Sequence, residues 1–244
     1  MPHALSHLTT LTYPGRLIIL GRDPADAFNI VVYAITGRSP SSQARRLVRD
    51  RDTIWTRPTD PEILKTGNPD LLVYPAVIMG RRIAVSNGKQ TSDVFSSNAG
   101  SALRALDAGL EPWSYEPDAP IYTPRISGCI LDTNSAGLAL LRRSEGGKTN
   151  RSFFEFPLEA GRGKMIATYA GENRDPLPSF RGEPLDLELG EKTAQAAAEA
   201  VYAALGPREA EKDFRVAVAC VFAEAGSMSR AEVAILNRNE RKSE

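Results

Sequence analysis

Short apolar runs separated by polar turns follow one another along the chain and predict a protein built mainly of strands. Runs rich in Ile, Val and Leu that end at Gly, Pro or Asp are typical of strands. Two stretches instead carry Ala and Leu at helical spacing, residues 96–110 and 191–205, and the pair Gly206-Pro207 stops the second. The predicted strands are residues 16–21, 28–36, 71–79, 82–86, 126–131, 138–142, 152–156, 164–170, 214–223 and 231–236.

The order of these elements predicts the α+β fold class. The strands come in adjacent pairs and do not alternate with helices, which disfavours a parallel doubly wound sheet. Several strands are apolar along their whole length, as expected when both faces of a sheet are covered. We therefore expect two mostly antiparallel sheets with helices packed on the outside.

The chain has no internal repeat and no domain linker, so residues 1–244 are predicted to form one domain. Residues 1–12 and 237–244 are predicted to be loose tails. Two polar, proline-bearing stretches, residues 39–70 and 171–189, are predicted to be long loops. Loops of that length are usually functional or disordered.

Charge and hydropathy argue against two classes of partner. Lys plus Arg and Asp plus Glu both count 30, so the net charge is zero and no nucleic-acid partner is expected. No apolar stretch approaches the length of a membrane span, so no membrane association is expected. A basic segment followed by an apolar core is absent from the N-terminus, and a cytoplasmic location is the expectation.

The positions of the histidines and cysteines limit the kinds of catalytic site that the chain can form. Cys129 and Cys220 lie in apolar runs and are predicted to be buried thiols. The only histidines, His3 and His7, lie near the N-terminus, which argues against a serine or cysteine triad and against a zinc site. Catalysis would then depend on Arg, Lys, Tyr, carboxylates and amides, without a metal or organic cofactor.

Arginines at strand ends are candidate phosphate ligands, because guanidinium groups bind phosphate through paired hydrogen bonds. Arg22 and Arg38 each follow a predicted strand, and we expect them to lie close together. Residues 44–51, which include Arg45, form a dense basic run. This run is either a solvated surface segment or a loop that faces a phosphate.

Other polar clusters have both a functional and a purely structural interpretation. Asn87 and Gly88 form an Asn-Gly turn. It is either a plain turn or a site whose amides form hydrogen bonds with the edge of a purine-like ring. Glu116 is a general acid or base if its carboxyl is desolvated, and a surface glutamate otherwise. Arg125 follows Thr123-Pro124 at the mouth of a buried strand and needs a partner there. Tyr74 lies inside an apolar strand, where a core tyrosine is the ordinary interpretation.

Taken in order, these clusters resemble the archaeal-type IMP cyclohydrolase family over residues 15–132. A weaker similarity occurs at Ile166-Ala167-Thr168-Tyr169. The chain is longer than compact members of the family around residues 39–66 and 171–189. The matching segments are GRLIILGRDPADAF, AITGRSPSSQARR, NPDLLVYPAVIMGRRIAVSNGKQTSD and WSYEPDAPIYTPRISG.

The resemblance implies a four-layer αββα fold like that of the Ntn hydrolases, in a homo-oligomer. It also implies ring closure of 5-formamidoimidazole-4-carboxamide ribotide, a purine ribonucleotide precursor, to IMP and water. Arg45 or Arg46 matches the arginine of the second segment. The implied catalytic residues are Arg38, Tyr74 and Glu116, and the implied substrate-binding residues are Arg22, Arg45, Asn87, Gly88, Thr123 and Arg125.

Besides the implied cyclohydrolase, three other functions stay open at this point: a nucleotide-binding protein, a related amidohydrolase and an RNA-binding module. The chain is either an active cyclohydrolase, a non-catalytic purine-nucleotide-binding protein, or a related amidohydrolase that acts on another ribotide. An RNA-binding module is suggested only by the basic run at residues 45–51, and zero net charge with few interleaved aromatics argues against it.

Overall fold

Two seven-stranded sheets form the body of the protein in the computed structural model, which describes residues 3–62, 72–131, 134–207, 213–228 and 230–240. The strands are β1 His3–Ala4, β2 Arg16–Arg22, β3 Phe28–Thr36, β4 Arg45–Asp50, β5 Thr53–Pro58, β6 Tyr74–Ile78, β7 Arg82–Ser86, β8 Arg125–Leu131, β9 Ser135–Arg143, β10 Thr149–Pro157, β11 Arg162–Ala167, β12 Leu185–Glu188, β13 Arg215–Glu224 and β14 Ala231–Asn237. The helices are α1 Pro40–Gln43, α2 Gln90–Ser96, α3 Ala102–Leu110 and α4 Ala194–Ala204, with 3-10 helices at Leu5–Thr10 and Arg238–Glu240.

The sheets are almost entirely antiparallel, and the predicted α+β class with two such sheets is confirmed. The first sheet has the order β1-β12-β11-β2-β3-β13-β14, and the second has the order β10-β9-β8-β7-β6-β5-β4. The short β1 pairs in parallel with β12, and the remaining pairs are antiparallel. Neighbouring antiparallel strands therefore place the start of one strand beside the end of the next.

The two sheets face each other across one large hydrophobic core. Strand β2 of the first sheet lies against β8 of the second, where a Cβ atom on Gly128 would lie 3.0 Å from Leu20 and 3.3 Å from Ile18. Gly128 thus permits a close approach of the sheets at this point. Both sheets contribute fully buried aliphatic side chains to the core, as expected for strands that are apolar along their length.

Short helices cover the outer faces of the sheets. Helix α3 begins with Ser101 as its N-cap and places Ala102, Ala105 and Leu106 in a cluster with β8 and β9. Helix α4 begins with Thr193 as its N-cap and packs on β13 and β14. No helix in the described ranges combines the length and the apolar composition that crossing a membrane requires.

Two polar contacts connect the sheets through the core. The side chain of Asn237 on β14 accepts from the Leu47 N–H at 2.8 Å and donates to the Leu47 carbonyl at 2.9 Å. The hydroxyls of Tyr33 on β3 and Tyr74 on β6 lie 2.8 Å apart, and both tyrosines are buried. Because buried polar groups need partners, these contacts fix the relative position of β3 and β14 against the second sheet.

The prediction of a loop over residues 39–70 is wrong for residues 40–58. Residues 40–58 form α1 and the hairpin of β4 and β5, while residues 63–71 lie outside the described residues. The hairpin lacks the aliphatic alternation of an ordinary strand pair, because its inward positions include Arg45 and Thr56 as well as Leu47 and Ile54. The basic run is therefore largely an edge strand.

The predicted helix over residues 96–110 is two helices. Helix α2 ends at Ser96 and α3 starts only at Ala102, with Ser101 taking the capping position between them. Helix α2 begins six residues earlier than expected, directly after the Asn-Gly turn. Its polar sequence, QTSDVFS, carries little apolar periodicity from which a helix could be predicted.

The N-terminal tail predicted to be loose is packed. Leu8 is fully buried, Leu5 is nearly so, and β1 pairs with β12. The partner strand β12 lies inside the stretch 171–189, which was expected to be a loop. At the other end, Asn237 closes β14 and residues 241–244 lie outside the described residues.

Both cysteines are buried free thiols, as predicted. Burial raises the pKa of Cys129 to about 12, and it also raises the pKa of Cys220. Neither thiol is therefore ionised near neutral pH, and neither has the properties of a nucleophile.

The Asn237 bridge predicts a stability loss that a surface asparagine does not share. Asn237→Ala leaves the buried N–H and carbonyl of Leu47 without partners, so we expect a loss of about 2 kcal/mol in the free energy of unfolding. Urea titration measures it, with Asn98→Ala at an exposed position as the control. Equal stability of the two variants would contradict the structural role of the bridge.

Candidate functional site

A polar cleft of about 240 Å³ lies at one end of the two sheets. Strand β2 starts here, and β3 and β11, which are antiparallel to it, end here. The segment between α3 and β8 supplies the facing wall. The cleft is lined by Tyr13, Arg16, Arg38, Ser39, Ser41, Ser42, Arg45, Leu72, Glu116, Asp118, Ile121, Thr123, Tyr169 and Leu177.

A buried ion pair between Arg16 and Glu116 lies in this cleft. An Nη2 atom of Arg16, the first residue of β2, lies 3.0 Å from Oε1 of Glu116. The side chain of Arg16 is 10% exposed and that of Glu116 is 4% exposed. Oε2 of Glu116 has no hydrogen-bond donor within the part of the chain that the structure describes. One carboxylate oxygen is thus anchored, while the other is open to a ligand.

Burial has opposite effects on the two partners of this pair. Burial raises the pKa of Glu116, and the positive charges of Arg16 and Arg125 oppose that rise without cancelling it. For Arg16, burial favours loss of the proton, but Glu116 and nearby tyrosines outweigh it, so its pKa is raised. Arg16 therefore stays cationic, and Glu116 has the increased proton affinity that suits a group exchanging protons with a ligand.

The Asn87 side chain holds the carboxylate from behind. Its Nδ2 donates to Oε1 of Glu116 at 3.0 Å and to the carbonyl of Pro124 at 2.9 Å. Its Oδ1 accepts from the N–H of Ile126 at 2.8 Å and from Nε2 of Gln90 at 3.1 Å. Both the oxygen and the nitrogen of the amide are occupied by hydrogen bonds within the protein. The geometry therefore favours a role of Asn87 in positioning Glu116 over a direct hydrogen bond to the ring of a ligand.

Arg125 lies one layer behind Asn87 and outside the cleft lining. Its Nη1 donates to Oε1 of Gln90 at 3.1 Å, and its Nε donates to the carbonyl of Ser114 at 2.9 Å. Its guanidinium also lies over the ring of Trp113, with Cζ 4.8 Å from the ring centroid. Burial lowers the pKa of Arg125, and Glu116 opposes that shift. The arginine thus supports the network behind Glu116.

Gly88 leaves the space that this arginine occupies. A Cβ atom at position 88 would lie 2.5 Å from Nη1 of Arg125 and 2.5 Å from Oε1 of Gln90. The glycine is therefore required by the contact between the two side chains, not by a special backbone conformation.

Hydroxyl groups line another part of the cleft. Oγ1 of Thr123 lies 2.8 Å from the Tyr169 hydroxyl and donates to Asp118, whose carboxylate also accepts from the Thr123 N–H. Burial raises the pKa of Tyr169 to about 12, although Arg16 and Thr123 act in the other direction. Tyr169 keeps its proton at neutral pH and, because the Thr123 hydroxyl already donates to Asp118, donates that proton to Thr123.

The segment that follows β3 brings two more arginines to the cleft. Arg45 is only 4% exposed, and its Nε donates to the Ser42 carbonyl at 2.9 Å. Among the described residues, its two terminal nitrogens have no protein acceptor. Arg38 lies nearer the rim, where its Nη2 is 3.0 Å from Asp175 and its Nη1 is 3.3 Å from Asn173.

The expectation that Arg22 lies close to Arg38 is wrong. Arg22 ends β2 and pairs with Asn29 near the start of β3, whereas Arg16 pairs with Ile35 near the end of β3. Adjacent antiparallel strands run in opposite directions, so their C-terminal ends lie at opposite edges of the sheet. Arg22 is held by Asn29 and Asp26 at the far end and is not brought to the cleft.

Tyr74 is buried between the sheets and is not among the residues that line the cleft. Its hydroxyl pairs with that of Tyr33, and it lies close enough to Arg16 to raise the pKa of that guanidinium. Burial raises the pKa of Tyr33, with a further contribution from Tyr74. The two hydroxyls lie near the cationic part of the cleft.

The structure thus divides the predicted site residues by location. Arg38, Arg45, Glu116 and Thr123 line the cleft, and Asn87, Gly88 and Arg125 support it from behind. Sequence reasoning missed Arg16, Asp118 and Tyr169. The strand register identifies Arg16, because it places the start of β2 beside the end of β3 at the cleft. Tyr169 lies in the segment 166–169, whose weaker similarity to the family was the one signal for it in the sequence.

The lining combines fixed cations, hydroxyls and a carboxyl of raised pKa. Such a surface suits a ligand that carries a phosphate and several polar ring substituents. In the described ranges, no three His, Cys, Asp or Glu side chains come together as ligands for a metal ion.

Comparison with protein families identifies the relatives of this chain. The profile of the family described as IMP cyclohydrolase-like protein matches residues 13–227, and the chain belongs to this family. No curated protein matches the sequence. The match spans every residue that contributes to the cleft.

The crowded surroundings of Gly88 predict that a methyl group destabilises the protein at this position but not at an open one. Gly88→Ala places a methyl group on the buried Arg125–Gln90 contact, so we expect a loss of about 1–3 kcal/mol in the free energy of unfolding. Chemical denaturation measures the loss, and Gly100→Ala is the matched control because its Cβ meets open space. A loss of the same size at both positions would contradict the steric explanation.

Proposed function

We propose that the protein is an IMP cyclohydrolase that closes the ring of 5-formamidoimidazole-4-carboxamide ribotide to give IMP and water in purine biosynthesis. The observation that carries the proposal is the Glu116 carboxyl, which has a raised pKa, is fixed by Arg16 and Asn87, and lines the cleft. Membership of the IMP cyclohydrolase-like family supports the choice of substrate. The reaction belongs to the hydrolases of cyclic amidines, which are named for the reverse direction.

The proposal includes a wider interpretation of the chain. Residues 1–244 form a single domain whose sheets and outer helices correspond to the four-layer αββα arrangement of Ntn hydrolases. The protein acts in the cytoplasm, as a homo-oligomer, on a small purine ribonucleotide. The packing of α3 and α4 on opposite sheets supports this interpretation of the fold.

The chemistry requires one group that takes a proton and later gives it back. The carboxamide nitrogen attacks the formyl carbon within the same molecule, so holding the two groups together supplies much of the rate enhancement. Glu116 takes the proton that the attacking nitrogen loses. Glu116 passes this proton to the formyl oxygen, which becomes a hydroxyl as the new carbon–nitrogen bond forms. In the second step the formamide nitrogen loses its proton to Glu116 as the ring C=N bond forms, and Glu116 gives that proton to the hydroxyl, which leaves as water.

Cations and hydroxyls assist the same sequence of steps. Arg16 lies beside Glu116 and stabilises the negative charge that develops on the formyl oxygen. Arg38 is proposed to share this role. The Tyr74 hydroxyl is proposed as the hydrogen-bond donor to the formyl oxygen. Tyr169 is the tyrosine that lines the cleft. Arg45 binds the phosphate with its two terminal nitrogens.

The position of Tyr74 favours a second candidate function. Its hydroxyl is engaged with Tyr33 rather than turned into the cleft lining, which suits a protein that binds a purine nucleotide without converting it. Such a protein would keep the arginines and Glu116 as ligand contacts. Turnover separates it from the cyclohydrolase.

A turnover assay with Glu116→Gln tests the proposed function. We expect the wild-type protein to form IMP from the formylated ribotide and the variant to have a kcat about 10²–10⁴-fold lower, because the amide cannot exchange the proton. Absorbance of the hypoxanthine ring measures the rate, calorimetry with IMP checks binding, and exposed Glu159→Gln is the control. Tight IMP binding without wild-type turnover would instead support the nucleotide-binding protein.

The ion pair between Arg38 and Asp175 predicts a substitution that improves substrate binding. A ligand that uses the Arg38 guanidinium must displace Asp175, whose side chain is 82% exposed. Asp175→Asn weakens that competition, so we expect the KM for the ribotide to fall about two- to five-fold. Steady-state kinetics measures it, with Asp186→Asn as the control because Asp186 forms an exposed ion pair with Lys164. An unchanged or higher KM would show that Asp175 does not compete with the substrate.

A further inference from the structure

Strand β10 forms an edge of the second sheet over nine residues, Thr149–Pro157. An edge strand presents unpaired N–H and C=O groups that attract another strand unless they are protected. Strand β1 is protected by its length of two residues, and β4 by its three arginines and one aspartate. The remaining edge strand, β14, carries Glu232 as its one charged residue, so it offers no pair of opposite charges to a second copy of itself. Strand β10 is long, contains three phenylalanines and has its proline only at the end.

The register with β9 shows which backbone groups of β10 face outward. The N–H of Ser144 donates to the carbonyl of Lys148 at 2.8 Å, so this pair is of the hydrogen-bonded type. Hydrogen-bonded and non-hydrogen-bonded pairs alternate along an antiparallel ladder. Asn150 and Ser152 therefore bond to β9, while Arg151, Phe153 and Glu155 direct their N–H and C=O groups away from the sheet.

The sequence of this edge is complementary to itself. In an antiparallel pair of two β10 strands centred on Phe153, Arg151 of each copy lies opposite Glu155 of the other, and both belong to the outward-bonding set. Opposite charges that face each other across strands stabilise a sheet. Glu155 has no side-chain partner among the described residues. Arg151 is held in place by the carbonyls of Leu110, Glu111 and Trp113.

The aromatic residue at the centre adds an apolar contact. Phe153 is half-buried and packs against the cluster beneath α3. In the centred register it lies directly opposite Phe153 of the second copy, and directly opposed aromatic side chains favour strand pairing. We propose that β10 pairs with β10 of a second copy of this chain around a two-fold axis, joining their two seven-stranded sheets edge to edge.

Mass measurement with charge variants tests this interface. We expect the wild-type protein to sediment at twice the 26.5 kDa of one chain. Glu155→Arg places like charges opposite each other at both ends of the strand pair, so it should sediment as a monomer. Arg151→Glu should do the same alone, and mixing the two variants should restore a dimer because the charges are again complementary. A monomeric wild-type protein, or an oligomer unaffected by Glu155→Arg, overturns the proposal.

Cysteine cross-linking provides a second test that does not disturb the charges. Opposed residues of a hydrogen-bonded pair have Cα atoms about 5.5 Å apart, within reach of a disulfide. Phe153→Cys should therefore form a cross-linked dimer under mild oxidation, since native Cys129 and Cys220 are buried. Ser152→Cys is the control, because Ser152 lies opposite Phe154 and its own copies are about 8 Å apart. No cross-link in Phe153→Cys, or equal cross-linking of both variants, overturns the register.

Discussion

The arrangement of the cleft depends on the buried ion pair between Arg16 and Glu116. Removing two charges from water costs several kcal/mol per ion, and their attraction offsets this only with good geometry and further hydrogen bonds. Here Asn87 supplies a second donor to the carboxylate, Gln90 donates to Asn87, and Arg125 in turn holds Gln90. The network keeps one oxygen of Glu116 bound and the other free, in a site where its proton affinity is raised.

Antiparallel register brings the parts of this network together from distant sequence positions. The start of β2 lies beside the ends of β3 and β11, so Arg16, Arg38 and Tyr169 meet at one edge of the first sheet. The segment before β8 brings Glu116 to the same edge from the second sheet. Both sheets are held in this relation by the tyrosine pair and by the Asn237 bridge.

Strand patterns in the sequence predict the two sheets, but the site residues follow from them only in part. Glu116 and Asn87 were identifiable because each follows or precedes a strand in a polar turn. Arg22 was misplaced although the predicted antiparallel pairing of adjacent strands already sends the ends of β2 and β3 to opposite edges of the sheet. The same pairing brings Arg16, at the start of β2, beside the end of β3, and Arg16 was missed because it lies at the start of an apolar run and not in a polar turn.

Burial and pairing account for the other differences. The hairpin of β4 and β5 points Arg45 and Thr56 inward, so an aliphatic pattern does not reveal it. Tyr74 could be recognised as a core tyrosine, but its partner Tyr33 comes from the opposite sheet. Contacts of this kind depend on how the sheets pack, which local periodicity does not determine.

A crystal structure of the protein with IMP bound tests the central claim most directly. The account predicts that the ring lies with its newly formed carbon–nitrogen bond beside the free oxygen of Glu116, and that the phosphate contacts the terminal nitrogens of Arg45. A nucleotide bound elsewhere, or one in the cleft with its ring directed away from Glu116, would contradict the account.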